Sequence, residues 1–143
     1  MNCKILLGML VLMVGGCAPK ISKVHFTEEN TIQYIKNESF LYNSSDKPII
    51  DGYEYGLHTR TPDDPVNVGI LLKIGQEIHI LNAYRIYSHE GGEWVGVTGY
   101  VEFEEKKITF LYNWSIGGML KIAPWEDLSV SKDRKINDKL SKP

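Results

Sequence analysis

Alternation of apolar and polar side chains dominates the chain from Ile32 onward. The clearest stretch is 101–112, in which the runs 101–103 and 108–112 each place their apolar residues on one side of an extended chain. The charged residues 104–107 separate the two runs. A period of two with one apolar face is typical of half-buried strands, so this stretch predicts a β-hairpin with a charged turn.

Shorter runs of the same texture recur along the chain, separated by Gly, Asn, Asp and Pro. They predict further strands at 32–35, 39–42, 49–55, 69–74, 77–81, 84–88, 93–97 and 119–123. Gly pairs and Asp-Gly steps between them supply the positive φ that tight turns need. The pattern therefore predicts an all-β fold, a small barrel or sandwich of about seven to nine short, mainly antiparallel strands.

Residues 28–37 admit a second interpretation. Thr27 is a suitable N-cap, and Glu28 and Glu29 would lie in the first turn of a helix, where negative charge is favourable. The sequence therefore leaves a short helix and a strand as alternatives for this segment.

The first 16 residues have a different character. Lys4 is their one charge, and an apolar run over 5–14 leads to two glycines and Cys17. A membrane-spanning helix needs about 20 apolar residues, and this run is too short. Residues 1–16 are therefore predicted to be a secretory signal that is cleaved on export.

The end of that signal, Val14-Gly15-Gly16-Cys17, resembles the lipobox of bacterial lipoproteins. The resemblance implies that the thiol of Cys17 receives a diacylglycerol, that the chain is cut before it, and that the new amino group is acylated. More than one acyl chain makes membrane attachment stable. Ala18 follows the cysteine in place of Asp, which by the same resemblance favours the periplasmic face of the outer membrane in a Gram-negative organism.

These boundaries divide the chain into four parts. After the signal, residues 17–30 are predicted to be the lipidated cysteine and a short tether, and 31–128 the β-rich domain. Residues 129–143, mostly Lys, Asp, Ser and Asn, are predicted to be a charged, flexible tail. Removal of residues 1–16 from the 143-residue chain leaves 127 residues, enough for one domain with a modest core.

Composition argues against nucleic-acid binding and against a thiolate metal site. The formal net charge of −2 gives no basic surface for nucleic acid. Of the two cysteines, Cys3 lies in the signal and Cys17 is the acylation candidate, so the exported domain has no disulfide and no thiolate metal site.

The middle of the chain is similar to bacterial Src-homology-three-like barrels. The similarity rests on the strand-like segment 69–80, on Trp94-Val95-Gly96-Val97 and on Gly99-Tyr100-Val101. It implies that these strands wrap one small core. Because many exported domains of that kind bind cell-wall material or peptides, it also implies a binding module rather than a defined site.

No catalytic, metal or cofactor site is predicted. The four histidines, His25, His58, His79 and His89, are scattered, without a ligand spacing. Adjacent carboxylates such as Asp63-Asp64 do not provide the defined separation across a cleft that paired catalytic acids need. The chain has no nucleophile elbow and no phosphate-binding glycine loop.

Aromatic residues are the most suggestive remaining feature. In or beside predicted strands they either stabilise a sheet through cross-strand pairs or, when exposed together, bind sugars, peptides or proteins. The candidates for a ligand site are those near Gly-rich or Pro-rich loops: Tyr53, Tyr55, Trp94 and Trp114.

The sequence as a whole predicts a membrane-anchored lipoprotein of the cell envelope that acts as a non-catalytic binding or accessory module. Its expected partners are the membrane, through acyl chains on Cys17, and cell-wall material or another protein. Two alternatives remain open: an inhibitor or immunity-type lipoprotein that blocks an enzyme or toxin outside the cytoplasm, and an envelope hydrolase.

Overall fold

The computed structural model describes residues 18–43, 50–59, 69–89, 91–116, 118–129 and 140–141. This part of the chain is all-β, as the alternation predicts, and nine of its strands form one sheet. The strands are β1 (Lys20–Phe26), β2 (Thr31–Tyr34), β3 (Ser39–Asn43), β4 (Tyr55–Thr59), β5 (Gly69–Leu72), β6 (Glu77–Ser88), β7 (Gly92–Phe103), β8 (Lys106–Asn113), β9 (Ser115–Ile116), β10 (Met119–Leu120) and β11 (Leu140–Ser141).

The strand order of the main sheet is β11-β1-β6-β7-β8-β4-β3-β5, with β2 paired to β6. Every pairing among these strands is antiparallel except that of β4 with β8. Strands β1 and β2 lie end to end along the same side of β6. Strands β9 and β10 form a separate two-stranded ladder.

The sheet is strongly curled, although its hydrogen bonding does not close it into a ring. Strand β5 lies five places from β6, which in a flat sheet means about 24 Å. Yet the chain from Leu72 to Glu77 covers five residue steps, at most about 18 Å. Strands β5 and β6 must therefore bend towards each other, as in a small barrel.

One hydrophobic core fills the concave face. It draws on nearly every strand of the main sheet as well as on the segment after β8. Its members are Val24, Phe26, Ile35, Leu41, Leu57, Leu72, Ile78, Ile80, Ala83, Val95, Val97, Val101, Phe110, Tyr112, Trp114, Leu120, Ala123 and Trp125. Because side chains alternate along each strand, the residues between these positions form the outer face.

The two longest strands, β6 and β7, pair with each other within the main sheet. Their pairing slips between Ile80 and Asn82, so Leu81 is an extra residue that makes a β-bulge. Gly99 lies opposite Ile80 at this point. An added Cβ there would lie 2.4 Å from the His79 carbonyl oxygen and 2.6 Å from the Phe110 ring, so glycine permits the close approach.

The hairpin predicted over 101–112 is present. Glu102 pairs with Lys107 and Phe103 with Lys106, which leaves a two-residue turn. Both turn residues, Glu104 and Glu105, have positive φ, at 49° and 63°. This geometry matches the twist of a hairpin, and glycine or asparagine usually supplies it.

Two expectations about the N-terminal part of the domain are wrong. The segment 17–30 is not only a tether, because Lys20–Phe26 forms β1 and buries Val24 and Phe26. The helix alternative for 28–37 also fails, since Thr31–Tyr34 is a strand paired to β6 and the chain reaches it through a turn at Asn30, whose φ is 57°. Backbone pairing with β6 outweighs the favourable helix cap.

Other element boundaries differ from the predicted ones. The segments 77–81 and 84–88 are one strand, because the bulge at Leu81 interrupts the alternation without ending the pairing. The segments 93–97 and 101–103 are also one strand, since residues 98–100 continue the pairing with β6. The strand expected at 49–55 begins only at Tyr55, and residues 51–52 form a turn. The signal 1–16, Cys17 and most of the tail 129–143 lie outside the described residues, but Leu140 and Ser141 pair with β1.

Candidate functional site

The four aromatic residues singled out in the sequence do not form one site. Trp114 is fully buried and belongs to the core. Tyr55 is half-buried and packs against that core from β4. Tyr53 is half-buried in the preceding turn, and Trp94 is half-buried on the outer face of β7. Of these candidates, Trp94 is the one that lies on the outer face of a long central strand.

The segment after β8 covers one end of the core and is called the C-terminal cap (residues 114–116 and 118–127). Trp114 packs edge-on against Phe26, with ring centroids 5.8 Å apart, and Trp125 packs against Tyr112 at 5.4 Å. The Tyr112 hydroxyl donates to the Ile122 carbonyl at 3.2 Å. These contacts make the cap part of the domain's core rather than a ligand surface.

Backbone hydrogen bonds attach the cap to the corner between β2 and β3. The amides of Lys36 and Asn37 both donate to the Pro124 carbonyl, at 2.8 and 3.0 Å. The Glu126 carboxylate accepts from the Ala123 amide at 2.8 Å and so closes the turn of the cap. Burial lowers the pKa of Lys121, which lies on the same segment.

An apolar platform lies on the outer face around Trp94. Ile21, Ile86 and Trp94 stand side by side on β1, β6 and β7. A Cβ added at Gly96 would lie 3.1 Å from the Trp94 ring, 3.1 Å from Ile86 and 2.9 Å from Leu111. These side chains therefore close over the bare glycine backbone, which leaves Ile86 only 1% exposed although it is outside the main core.

Two ring clusters occupy other parts of the outer face. On β3 and β4, His58 lies between Phe40 and Tyr42, with ring centroids 5.6 and 5.0 Å away. On β6 and β7, His79 stacks on Tyr100 at 4.3 Å with the planes 6° apart. The two histidines thus belong to separate ring clusters.

Charged partners complete the second cluster. The ammonium of Lys107 lies 3.8 Å from the centroid of the Tyr100 ring. Glu77 accepts from His79 at 3.0 Å. Within the described part of the chain, no group of three or more His, Cys, Asp or Glu side chains is placed to hold a metal ion.

Exposed hydrophobic side chains concentrate at the corner where β2 ends. Five large hydrophobic residues of the described chain are at least half exposed: Leu128 (71%), Ile74 (66%), Tyr34 (53%), Ile32 (50%) and Tyr87 (50%). Tyr34, Ile74 and Leu128 are each next in sequence to a residue that is bonded at the Ile35–Lys36 corner, and Ile32 lies two residues before Tyr34 on the same face of β2. We call Ile32, Tyr34, Ile74 and Leu128 the corner patch.

Specific bonds bring the members of the corner patch to this place. The Gly75 amide donates to the Ile35 carbonyl at 2.7 Å, and the Ile35 amide donates to the Gln76 carbonyl at 2.9 Å. The Lys36 ammonium donates to the Asp127 carboxylate at 2.8 Å. These bonds hold the turn before β6 and the end of the cap beside β2. Ile74 precedes the bonded Gly75, and Leu128 follows the bonded Asp127.

The corner patch was not among the candidates that the sequence suggests. Ile74 and Leu128 carry a weak signal, because each is a large apolar residue beside a turn or within a polar stretch. Ile32 and Tyr34 give no such signal, because apolar residues two positions apart are also expected on the buried face of a strand.

A three-residue charge cluster joins β1 to the turn that follows it. Glu29 accepts from Lys23 at 2.7 Å and from His25 at 2.9 Å. The hydrogen bond from Lys23, followed by that from His25, lowers the pKa of Glu29 below the ordinary glutamate value. The carboxylate therefore stabilises the folded state in its charged form.

Replacing this carboxylate should give a pH-dependent loss of stability. A lowered pKa in the folded state contributes stability above the unfolded-state value and loses it as the pH falls through the folded-state value. We expect Glu29→Gln to be less stable than the natural chain at neutral pH and the difference to shrink below about pH 4. Urea unfolding at several pH values measures it, and a difference that is constant with pH would contradict the assignment.

Comparisons with known proteins add no relative. No protein-family model, no curated protein sequence and no solved structure matches the chain. In the ranges that the structure describes, no helix is long and apolar enough to cross a membrane.

Proposed function

We propose that this protein is a lipid-anchored domain of the cell envelope that binds a protein partner at the corner patch and catalyses no reaction. The proposal combines two parts of the chain. The lipobox-like end of the signal, with Cys17 as its acceptor, supplies the attachment. The corner patch supplies the binding surface.

The observation that carries the binding role is the concentration of exposed apolar surface. Four of the five large hydrophobic residues that are at least half exposed lie either on β2 or next in sequence to a residue bonded to the end of β2. Single exposed hydrophobic residues are normal on a protein surface, but a group of them marks an interaction site. Three of the four are aliphatic, which suits protein side chains better than the stacking on rings that sugars require.

The edge of β2 supports a protein as the partner. Of the strands that the structure describes, β6 is the one that pairs with β2, and it does so from one side. An extended segment of a partner could add to the other side, with its apolar side chains against Ile32 and Tyr34. The neighbouring charges are mixed, Lys73 and Glu77 among them, so apolar contact rather than a charge field would provide affinity.

Photo-crosslinking in intact cells tests this role. A photoreactive phenylalanine analogue at position 34 or 74 should give one discrete protein adduct, whereas the same analogue at the exposed positions 51 and 105 should not. Ile74→Asp should abolish the adduct formed from position 34, and the matched change Lys73→Asp in the same turn should leave it. Because these residues are exposed, neither change should alter stability by more than about 0.5 kcal/mol.

Three results would contradict the proposal. The binding role fails if positions 34 and 74 give no adduct in a folded, correctly located protein, or if the adduct from position 34 survives Ile74→Asp. The anchor fails if Cys17→Ser leaves the protein in the membrane fraction. Identification of the adduct as an enzyme or toxin would assign the binding to inhibition.

A further inference from the structure

Three strands extend beyond the core at one end of the sheet. We call this extension the lip: residues 20–22 of β1, 85–88 of β6 and 92–94 of β7. The core positions of β6 and β7 nearest to it are Ala83 and Val95. Both faces of the lip are therefore outside the hydrophobic interior.

Apolar and aromatic residues nevertheless occur on the lip. Ile21 is 38% exposed and Tyr87 50% exposed, and Trp94 is partly exposed above Gly96. Ile21 and Trp94 flank Ile86 on one face, while Tyr87 pairs with Lys20 on the other. The lip thus presents an aliphatic residue, two amphipathic rings and an exposed lysine at one end of the domain.

The lip carries little net charge, so it can approach a phospholipid surface. Arg85 and Glu93 form an ion pair at 2.7 Å, so they largely compensate each other. Lys20 adds a positive charge at the first residue of β1, and Glu90, between β6 and β7 in the sequence, adds a negative one. Trp and Tyr favour the boundary between headgroups and acyl chains, and lysine favours the negative potential of anionic lipids.

The position of Cys17 brings this surface to a membrane. Only Ala18 and Pro19 separate Cys17 from the first residue of β1, so the two Cα atoms are at most about 11 Å apart. Acyl chains on that sulfur would place the lip in or beside the headgroup layer. A surface this close to an anchor meets lipid at a high effective concentration.

We propose that the lip inserts its Trp94, Tyr87 and Ile21 side chains into the headgroup layer of the bilayer to which the protein is anchored. The inference rests on the lipid anchor of the proposed function and adds an orientation to it. Strand β6 runs from the corner patch at Glu77 to the lip at Ser88, up to about 36 Å along 12 residues. With the lip on the membrane, the corner patch points away from it and is open to a partner.

Tryptophan fluorescence tests the insertion directly. The chain has three tryptophans, and Trp114 and Trp125 are 0% and 3% exposed, so Trp94 is the one that lipid can reach. The full-length mature protein, purified from membranes, is reconstituted into phosphatidylethanolamine vesicles containing phosphatidylglycerol. Part of the lipid carries bromine near the headgroup end of its acyl chains. We expect bromine to quench the emission of one tryptophan in three.

The variants separate insertion from other effects. Trp94→Phe should remove the quenching, because the remaining two indoles are buried. Ile21→Ser with Tyr87→Ser should reduce it while leaving Trp94 in place. Quenching that persists in Trp94→Phe, or emission that bromine does not change, would overturn the inference.

The mass of the N-terminal peptide distinguishes failure of the inference from failure of the anchor. If Cys17 is acylated but the emission is not quenched, the insertion of the lip is disproved and the lipid anchor is supported. If the peptide carries no acyl chains, both proposals are disproved. Acylation together with quenching that depends on Trp94 supports both.

Discussion

Replacing Trp114 with alanine is expected to reduce the free energy of unfolding by about 3–5 kcal/mol, because the change empties the space of a large buried ring. The Trp114 side chain has no exposed surface and packs edge-on against Phe26. Its backbone amide donates to the Val95 carbonyl at 2.8 Å, which fixes the start of the C-terminal cap against β7. A small domain has about 5–15 kcal/mol in total, so the change would remove a large share of its stability.

Urea unfolding followed by circular dichroism measures this loss, with Trp94→Ala as the matched control. Trp94 is only half-buried on the outer face, so its removal should cost less than half as much. Equal losses for the two tryptophans would show that Trp114 is not the core residue that its burial indicates.

Gly99→Ala is expected to destabilise the domain by about 3 kcal/mol, the upper part of the range for overpacking. The new methyl group would lie 2.4 Å from the His79 carbonyl oxygen and 2.6 Å from the Phe110 ring. The first contact is with backbone held in the β6–β7 ladder, so it can be relieved only by shifting the bulge at Leu81.

Gly91→Ala provides the control for Gly99→Ala. A Cβ at Gly91 would meet only the Ser88 hydroxyl oxygen, at 2.8 Å. That oxygen accepts from the Gly91 amide at 2.9 Å, but the bond is exposed, so the side chain can rotate away and water can replace it. The change should therefore shift stability by about 0.5 kcal/mol or less. A Gly99→Ala protein that unfolds at the same urea concentration as the natural chain would disprove the tight approach of β6 to β7 at this point.

The hairpin of β7 and β8 was predictable because its evidence is local. The side chains of 101–103 and 108–112 alternate, and the turn between them lies within a few residues. An alternating pattern is retained in the folded protein, because strand pairing keeps successive side chains on opposite faces of the sheet.

Strand β6 shows where the alternation misleads. The step Leu81-Asn82-Ala83 breaks the period and predicts two strands, yet the chain continues as one strand through a bulge.

Strand β1 is a strand that the sequence pattern did not predict. Its first four residues include Lys20 and Lys23, which read as a solvated tether, but Val24 and Phe26 two positions apart enter the core.

The candidate surfaces depend on contacts distant in sequence. Trp94 could be selected in advance because it is an aromatic residue near a glycine-rich loop. The corner patch could not, since the segments that carry Ile32, Ile74 and Leu128 are brought together only by the bonds of Ile35 and Lys36 to the turn before β6 and to the end of the cap. Trp114 has the same kind of sequence context as Trp94, and its burial follows from the path of the cap over the core.

The parallel pairing of β4 with β8 restricts the order in which this chain can be assembled. Tyr55 finds its partner, Phe110, another 55 residues along the chain, and β4 has no neighbour on that side until β8 has been delivered. Loop-closure entropy makes so distant a pairing slow to form. The domain can therefore reach its final shape only after Lys106–Asn113 has joined it. Until then β4 would offer an unprotected edge to proteases and chaperones.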